Sequence, residues 1–478
     1  MYVGLDLGTS GLKALLMDED QHQLAEATAP LTVHRPHDGW SEQDPSDWIA
    51  AAEAALDALA AENDLSAVKG IGLSGQMHGA TLLDAADAPL GPCILWNDTR
   101  SAAQAAAMDA QPDWRAVTGN IVFPGFTAPK LHWLRQTTPE VFDQVSTVLL
   151  PKDYLRLWLT GEKVAEMSDA AGTSWLDTGA RDWSDALLAR TGLTRGHMPR
   201  LVEGAEVSGG LRPDLAARWG IGAGVPVAGG AGDNAATAVG TGVVAPGDAF
   251  VSLGTSGVLF AACDAFRPQP ETAVHTFCHA LPGMWHQMGV VLAATDVLNW
   301  WASVVGSDAA TLTRELGALK APSRTTFLPY LGGERTPLNS ATVRGAFTGL
   351  EHATDRQAGT RAVLEGVAFA LADCRDALAA TGTGIARCLA VGGGSQSEHW
   401  LRILATVLNL PLDLPAGGAQ GAAFGAARLA MMAVTGDTSL ANRPAIARTI
   451  EPDAALTDAF QTAHARYRET ARQMMDLS

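Results

Sequence analysis

Short apolar runs broken by polar, glycine-bearing turns recur along this chain. Tyr2 to Leu7 enters the turn Gly8-Thr9-Ser10-Gly11 and Leu12 to Met17 leaves it, which predicts strand, tight turn, strand. Phe250 to Leu253 and Val258 to Ala262 bracket Gly254-Thr255-Ser256-Gly257 in the same way, about half a chain length later. The chain therefore reads as two related halves. Gln23 to Val33 predicts a third strand. Asp44 and Pro45 then open a helix as cap and first residue, with Trp48, Ala52, Ala55, Leu56 and Leu59 on one face. Val68 to Ser74, Ala80 to Leu83 and Val225 to Ala228 predict further strands. Gly125 to Trp133 leads into a helix within a Trp- and Pro-rich middle section. Val290 to Val304 and Arg361 to Ala379 predict long, mostly buried helices. Leu389 to Val391 predicts a strand that runs into Gly392-Gly393-Gly394 and a capping box, Ser395 and Glu398. Trp400, Leu401, Leu404, Val407 and Leu408 mark the helix behind it. These elements give an α/β chain of two domains, 1–244 and 245–478. No Ser/Pro-rich linker separates them, so the halves are expected to pack directly and move as hinged bodies around a central active-site cleft.

Charge narrows the choice of partners. There are 33 Lys and Arg against 51 Asp and Glu, a formal net charge of -18, and no basic run. A nucleic-acid or anionic-membrane partner is therefore not expected. A phosphate site must be made positive locally, by oriented amides, Mg2+ and single cations such as Lys13. The five cysteines are odd in number, scattered and without a CxxC pair, as in reduced, cytoplasmic proteins. Met1 leads straight into a strand containing Asp6, so no signal peptide is expected. The apolar stretches are interrupted by Asp296 and Asn299 or by Arg428, short of the ~20 residues that span a bilayer. His275, Cys278, His279 and His286 match no tetrahedral metal spacing.

Turns of Gly, Thr and Ser suit phosphate. Glycine lets the backbone amides approach an anion, and the hydroxyls add donors without bulk. An ordinary hairpin turn is the alternative for either copy, but two copies heading two half-chains favour a pair of phosphate grips. Their difference is informative. Asp6 stands where the second copy has Ser252, and one carboxylate can hold a hydrated Mg2+ through water. Gly230, Gly232 and Ala235 satisfy a GxGxxA dinucleotide fingerprint, yet Asp233 would then sit where a pyrophosphate belongs. The better reading makes Asp233 the point of the motif: a carboxylate at a glycine-rich strand-to-helix turn, open to close approach by a substrate. Capping of the helix is its other role. His78, in Gly75-Gln76-Met77-His78-Gly79, is at a strand end of the kind that lines ligand crevices. The three glycines from Gly392 permit a purine to lie against backbone.

Asp6 to Lys13, Gly254-Thr255-Ser256 and Gly392 to Ser395 occur in an order that resembles the two phosphate motifs and the adenosine motif of the actin, Hsp70 and sugar kinase superfamily, built from ribonuclease H-like domains. Within it the chain resembles the FGGY carbohydrate kinases. Gly125 to Trp133 is similar to that family's first signature, and Gly345 to Leu350 through Ala362 to Glu365 to its second, with Ala358 and Gly359 departing locally. The resemblance covers essentially the whole chain. It implies an ATP- and Mg2+-dependent phosphotransferase with Asp6 organising the metal, Asp233 accepting a proton, and Gly8, Thr9, Ser10, Lys13, Gly254, Thr255, Gly393, Gly394 and Ser395 holding the nucleotide. Gln76 to Gly79, Trp96 to Asp98, Leu150 to Leu155 and Ser168 to Thr173 resemble members that act on D-xylulose. Met77, His78, Asp233 and its neighbour Asn234 are accordingly expected at the sugar. Ribulose, fuculose, gluconate and glycerol are the other acceptors in view, glycerol-specific members being expected to carry Arg-Glu in place of Met77-His78. A chaperone or filament protein of the same superfamily is the competing class, and a homodimer is left open.

Overall fold

The computed structural model describes residues 1–416 and 420–477. They form two compact units. The first comprises Met1–Val244, Phe277–Trp285 and Gln420–Arg443, and the second the remaining described residues. Two late segments thus belong to the first unit.

Steric fit explains the longer of them. The first unit is built on a sheet whose strands run in the order Val207–Gly210, Pro226–Ala228, Gly70–Gly75, Tyr2–Leu7, Gly11–Met17 and Gln23–Pro30, with Ala231–Gly232 also pairing to Gly70–Gly75. The third strand stops at Pro30 rather than Val33, at a residue with no N–H to extend the ladder. On one face lies the helix Pro45–Glu62. Asp44 caps it by accepting the Ser46 amide, and Trp48, Ala52, Ala55, Leu56 and Leu59 are buried as their spacing predicts. The other face is covered by the helix Ala422–Thr435, which approaches to backbone contact. A Cβ on Gly4 would lie 1.9 Å from the Ala423 carbonyl oxygen, and one on Gly72 1.8 Å from that of Ala426. Gly425 repeats the fit on the far side of the same helix, 1.8 Å from the Ala236 oxygen of the helix Asp233–Thr241.

The second unit repeats the arrangement. Its sheet runs His275–Cys278, Trp285–Val291, Gly257–Cys263, Asp248–Leu253, Arg387–Val391, Leu412–Pro415, Ile446–Ile450. In both sheets the hairpin is followed by two parallel neighbours and then an antiparallel edge strand. The duplication legible in two short turns is therefore a duplication of topology.

Two expectations change. Val290 and Val291 end a strand, Trp285–Val291, and the helix spans only Thr295–Val304. A continuous apolar run carries no period, so strand and helix cannot be told apart there. The helix expected over Arg361 to Ala379 runs from Arg356 to Ala380, capped by Asp355. Among the described residues, no helix is long and apolar enough to cross a membrane.

Gly72→Val should lower the thermal unfolding midpoint by an amount equivalent to about 1–3 kcal/mol or more, since added volume meets backbone rather than a side chain that can turn away. Gly384→Ala, where a Cβ meets nothing within 4 Å, is the control; equal midpoints for the two variants in a calorimetric scan would refute the packing argument.

Candidate active site

Register collects the first unit's candidates at one end of its sheet. Asp6 pairs with Lys13 on one side and with Ser74 on the other, and Ser74 and Gly75 pair with Ala231 and Gly232. Asp6, the Gln76-Met77-His78 turn and Asp233 therefore leave neighbouring strand ends together. Burial pushes the Asp6 carboxyl up to about 6, with the nearby Asp233 charge adding to the shift and Ser74 and Lys13 opposing it. Its Oδ1 is buried with no hydrogen-bond partner, a donor atom suited to a hydrated cation.

Asp233 is the first residue of its helix. Its Oδ1 accepts the Asn234 backbone N–H at 2.7 Å and the Asn234 Nδ2 at 3.0 Å, so Asn234 acts on Asp233 itself. Oδ2 makes no hydrogen bond. Burial raises the pKa despite the two Asn234 contacts, so the open oxygen belongs to a carboxylate more basic than usual. The turn in front of the helix is clamped from below. Arg156 donates to the Ala228 and Gly229 carbonyls at 2.7 and 2.5 Å, and Ser168 Oγ accepts the Gly232 N–H at 3.1 Å. Lys152 lies within 2.7 Å of Asp153, 3.1 Å of Asp169 and 3.3 Å of Glu166, all fully buried. Burial holds the Asp169 carboxyl well above the usual range, and Lys152 only partly offsets it. The sequence does not show which middle-section loops reach the site. The Pro151-Lys152-Asp153-Tyr154 and Ser168 to Thr173 stretches do, as the support of Asp233.

His78 sits in the left-handed region at φ 70°, a strained conformation for a residue with a Cβ. Two donors from the helix Thr127–Thr137 hold it there: its carbonyl accepts from Thr127 Oγ1 at 3.1 Å and from Lys130 Nζ at 2.8 Å. Lys130 is wholly buried, and desolvation brings its pKa down to about 7. His78 Nδ1 must donate to the Gly172 carbonyl, 2.7 Å away, which fixes the proton on that nitrogen in the neutral ring. Its ring stacks on Phe126 at 4.5 Å. Gly172 is required by this contact, because a Cβ there would lie 2.5 Å from the imidazole and 3.0 Å from Met77 Cε. Met77 also packs against Gly232. Met77, His78 and Asp233 thus share one wall.

In the phosphate turn, Gly8 N–H closes the turn onto Gly11 O at 3.0 Å, while the Thr9 and Ser10 amides make no hydrogen bond. Lys13 pairs with Glu26 at 3.1 Å on the surface. In the second unit the Gly254 carbonyl accepts both the backbone N–H and Oγ1 of Thr295, at 2.9 and 2.8 Å, and the Thr255 carbonyl accepts Ala294 N–H at 2.7 Å. Among the described residues, the amides of Gly254, Thr255 and Ser256 have no hydrogen-bond partner.

Next to this turn opens a cavity of about 820 Å³, lined by Gly393, Gly394, Thr295, Asn299, Arg314 and Trp400 among others. Gly393 has nothing within 4 Å of its missing Cβ. The Ser395 hydroxyl donates to Gly392 O at 2.6 Å within a 3-10 turn, Gly393–Gln396. Ser397, not Ser395, caps the following helix Glu398–Leu408, accepting the Trp400 amide. The glycine run inserts that turn and moves the cap two residues on. Gln396 to Arg402 follow the glycines directly in the chain, whereas the lining residues between Thr295 and Gly317 are distant in sequence and no local signal marks them.

Residues 1–240 match the model for the FGGY family of carbohydrate kinases, N-terminal domain, and residues 249–434 the model for its C-terminal domain. The chain is 47% identical to the xylulose kinase of Escherichia coli (strain K12) over 483 aligned positions, covering 100% of both chains. It is 48% identical to the xylulose kinase of Klebsiella pneumoniae over 453 positions, 94% of this chain and 93% of the relative. A crystal structure of a xyloylose kinase from Brucella ovis superposes with a TM-score of 0.99 at 60% identity over 100% of both chains. That of the xylulose kinase from Rhodospirillum rubrum gives 0.93 at 29% identity, over 100% of this chain and 99% of the other. The architecture is the two-domain α/β fold of the actin, Hsp70 and sugar kinase type. The chain belongs to the FGGY family of carbohydrate kinases.

Proposed function

We propose that the protein transfers the γ-phosphoryl group of ATP to D-xylulose, giving D-xylulose 5-phosphate. The observation that carries this reading is the shared wall of Met77, His78 and Asp233, where a carboxylate with one oxygen held and one open stands beside an apolar thioether and an oriented imidazole. The xylulose kinase of Escherichia coli and the xyloylose kinase of Brucella ovis, similar to this chain over its full length, support the same reading.

Asp233 Oδ2 accepts the proton of the attacking hydroxyl, O5 of the sugar, as the bond to phosphorus forms. A positioned base contributes ~10²- to 10⁴-fold. Met77 packs against the carbon chain, and His78, with Nδ1 committed to Gly172, turns the other edge of its ring to the sugar hydroxyls. Thr9 and Ser10 amides in the first unit, and those of Gly254 to Ser256 in the second, donate to phosphate oxygens. The cavity over Gly393 seats the nucleoside. Asp6, whose buried Oδ1 lacks a partner, would hold Mg2+ through water, and such an ion when bound supplies neutralisation of phosphate charge.

Asp233→Ala is predicted to abolish phosphorylation in a coupled ADP-release assay while D-xylulose still binds by calorimetry; wild-type-like turnover would remove Asp233 from the mechanism. Met77→Arg combined with His78→Glu should depress kcat/KM for D-xylulose relative to a panel of ketoses and polyols, and an unchanged constant would place the sugar elsewhere. Because Asp233 must be ionised to take a proton and its pKa is raised, kcat/KM should fall on acidification along a limb lying above the ordinary carboxylate value of 3.8. A limb at or below that value would contradict the assignment.

A further inference from the structure

A chain of buried amides joins the phosphate turn to the sugar turn, and its polarity can be read from its ends. Trp48 Nε1 can only donate, and it lies 3.0 Å from Gln43 Oε1. That fixes the Gln43 amide, whose Nε2 donates to the Thr9 carbonyl at 2.7 Å. Gln43 Oε1 also takes Gln76 Nε2 at 2.8 Å. Gln76 must then present Oε1 to Thr9, and at 3.0 Å the Thr9 hydroxyl is the donor. A second indole, Trp96 Nε1, donates to the same Thr9 oxygen at 3.0 Å. The backbone repeats the link, since Gln76 N–H donates to Leu7 O at 2.9 Å. Gln43 and Gln76 are buried, 0% and 3% exposed.

The direction of every hydrogen bond in this chain is assigned, with one consequence for Thr9. Its single hydroxyl proton is committed to Gln76 and cannot reach a phosphate oxygen. We propose that Gln43, Gln76 and the Thr9 hydroxyl form a positioning lock that holds the first phosphate turn in fixed relation to the Met77-His78 turn, and that Thr9 meets phosphate through its amide alone. This rests on the kinase reading above. Gln76 is the hinge of the lock, because its side chain holds the phosphate turn while its backbone continues directly into the sugar-binding pair. A displacement of about 1 Å between reacting groups can cost ~10²-fold in rate, so the lock acts on turnover more than on binding of either substrate.

The test is a double-mutant cycle on the full-length enzyme with ATP, Mg2+ and D-xylulose. Gln76→Met and Thr9→Val should each lower kcat roughly 10- to 100-fold with KM for ATP and for D-xylulose changed by no more than about 3-fold. The double variant should be no slower than the slower single, as expected for groups acting as one unit, and Thr9→Ser, which keeps the hydroxyl, should restore turnover. Multiplicative losses, or a raised KM for ATP in Thr9→Val with Gln76→Met silent, would return the hydroxyl to the phosphate and overturn the lock. If Gln76→Met does not fold, Trp96→Phe replaces it in the cycle: Trp96 is 49% exposed and its indole meets the same oxygen. A wild-type enzyme that leaves D-xylulose unphosphorylated defeats the functional reading instead, and the two failures are separate.

Discussion

The first unit depends on a backbone-to-backbone contact that only glycine permits. Gly4 and Gly72 let the helix Ala422–Thr435 settle onto the sheet, and Gly425 lets the helix Asp233–Thr241 settle onto it in turn. Asp233 inherits its place from this stack. Arg428 completes it from within, donating to the Val239, Gly240 and Asn442 carbonyls. A cation at the C-terminal end of the Asp233 helix is favourably placed against the helix dipole, and it satisfies carbonyls that close packing has cut off from water. The small-residue composition of both helices is the sequence counterpart of this contact: larger side chains would hold the axes apart and lift Asp233 off the wall it shares with Met77.

Charge is handled in two layers. Beneath the reactive turn, Lys152 and Arg156 meet three buried carboxylates. Burial holds the Asp169 carboxyl well above the usual range, with the Asp153 and Glu166 charges adding to the shift and Lys152 opposing it. Above it, Asp6 and Asp233 stay close enough that one raises the other, which keeps a base and a cation-seeking group side by side in a protein of net charge -18.

Much of this was legible in the chain. The paired turns, the Asp44 cap, and the strand ends carrying Asp6 and His78 all followed from residue chemistry at short range. What escaped was long range or aperiodic. Gly172 matters through a contact with His78, 94 residues away; the helix Ala422–Thr435 joins a unit whose other members lie far upstream; and Val290 and Val291 lie in an apolar run without a period to read. Ser395 misled for a different reason, since a glycine run can hide a turn between strand and cap. Thr9 was legible as a turn residue but not as a committed donor, because its partners come from Gln43, Gln76 and Trp96 on separate elements.

The place of Ala422–Thr435 in the chain also sets the order in which the enzyme can become active during synthesis. A ribosome that has released both hairpins, the sugar turn and the whole of the Asp233 helix has still not made the element that closes their sheet. Until that element is made, one face of that sheet is uncovered and the Asp233 helix lacks the partner that packs against Gly425. Nascent chains therefore carry the reactive side chains of the first unit before its sheet is covered on both faces.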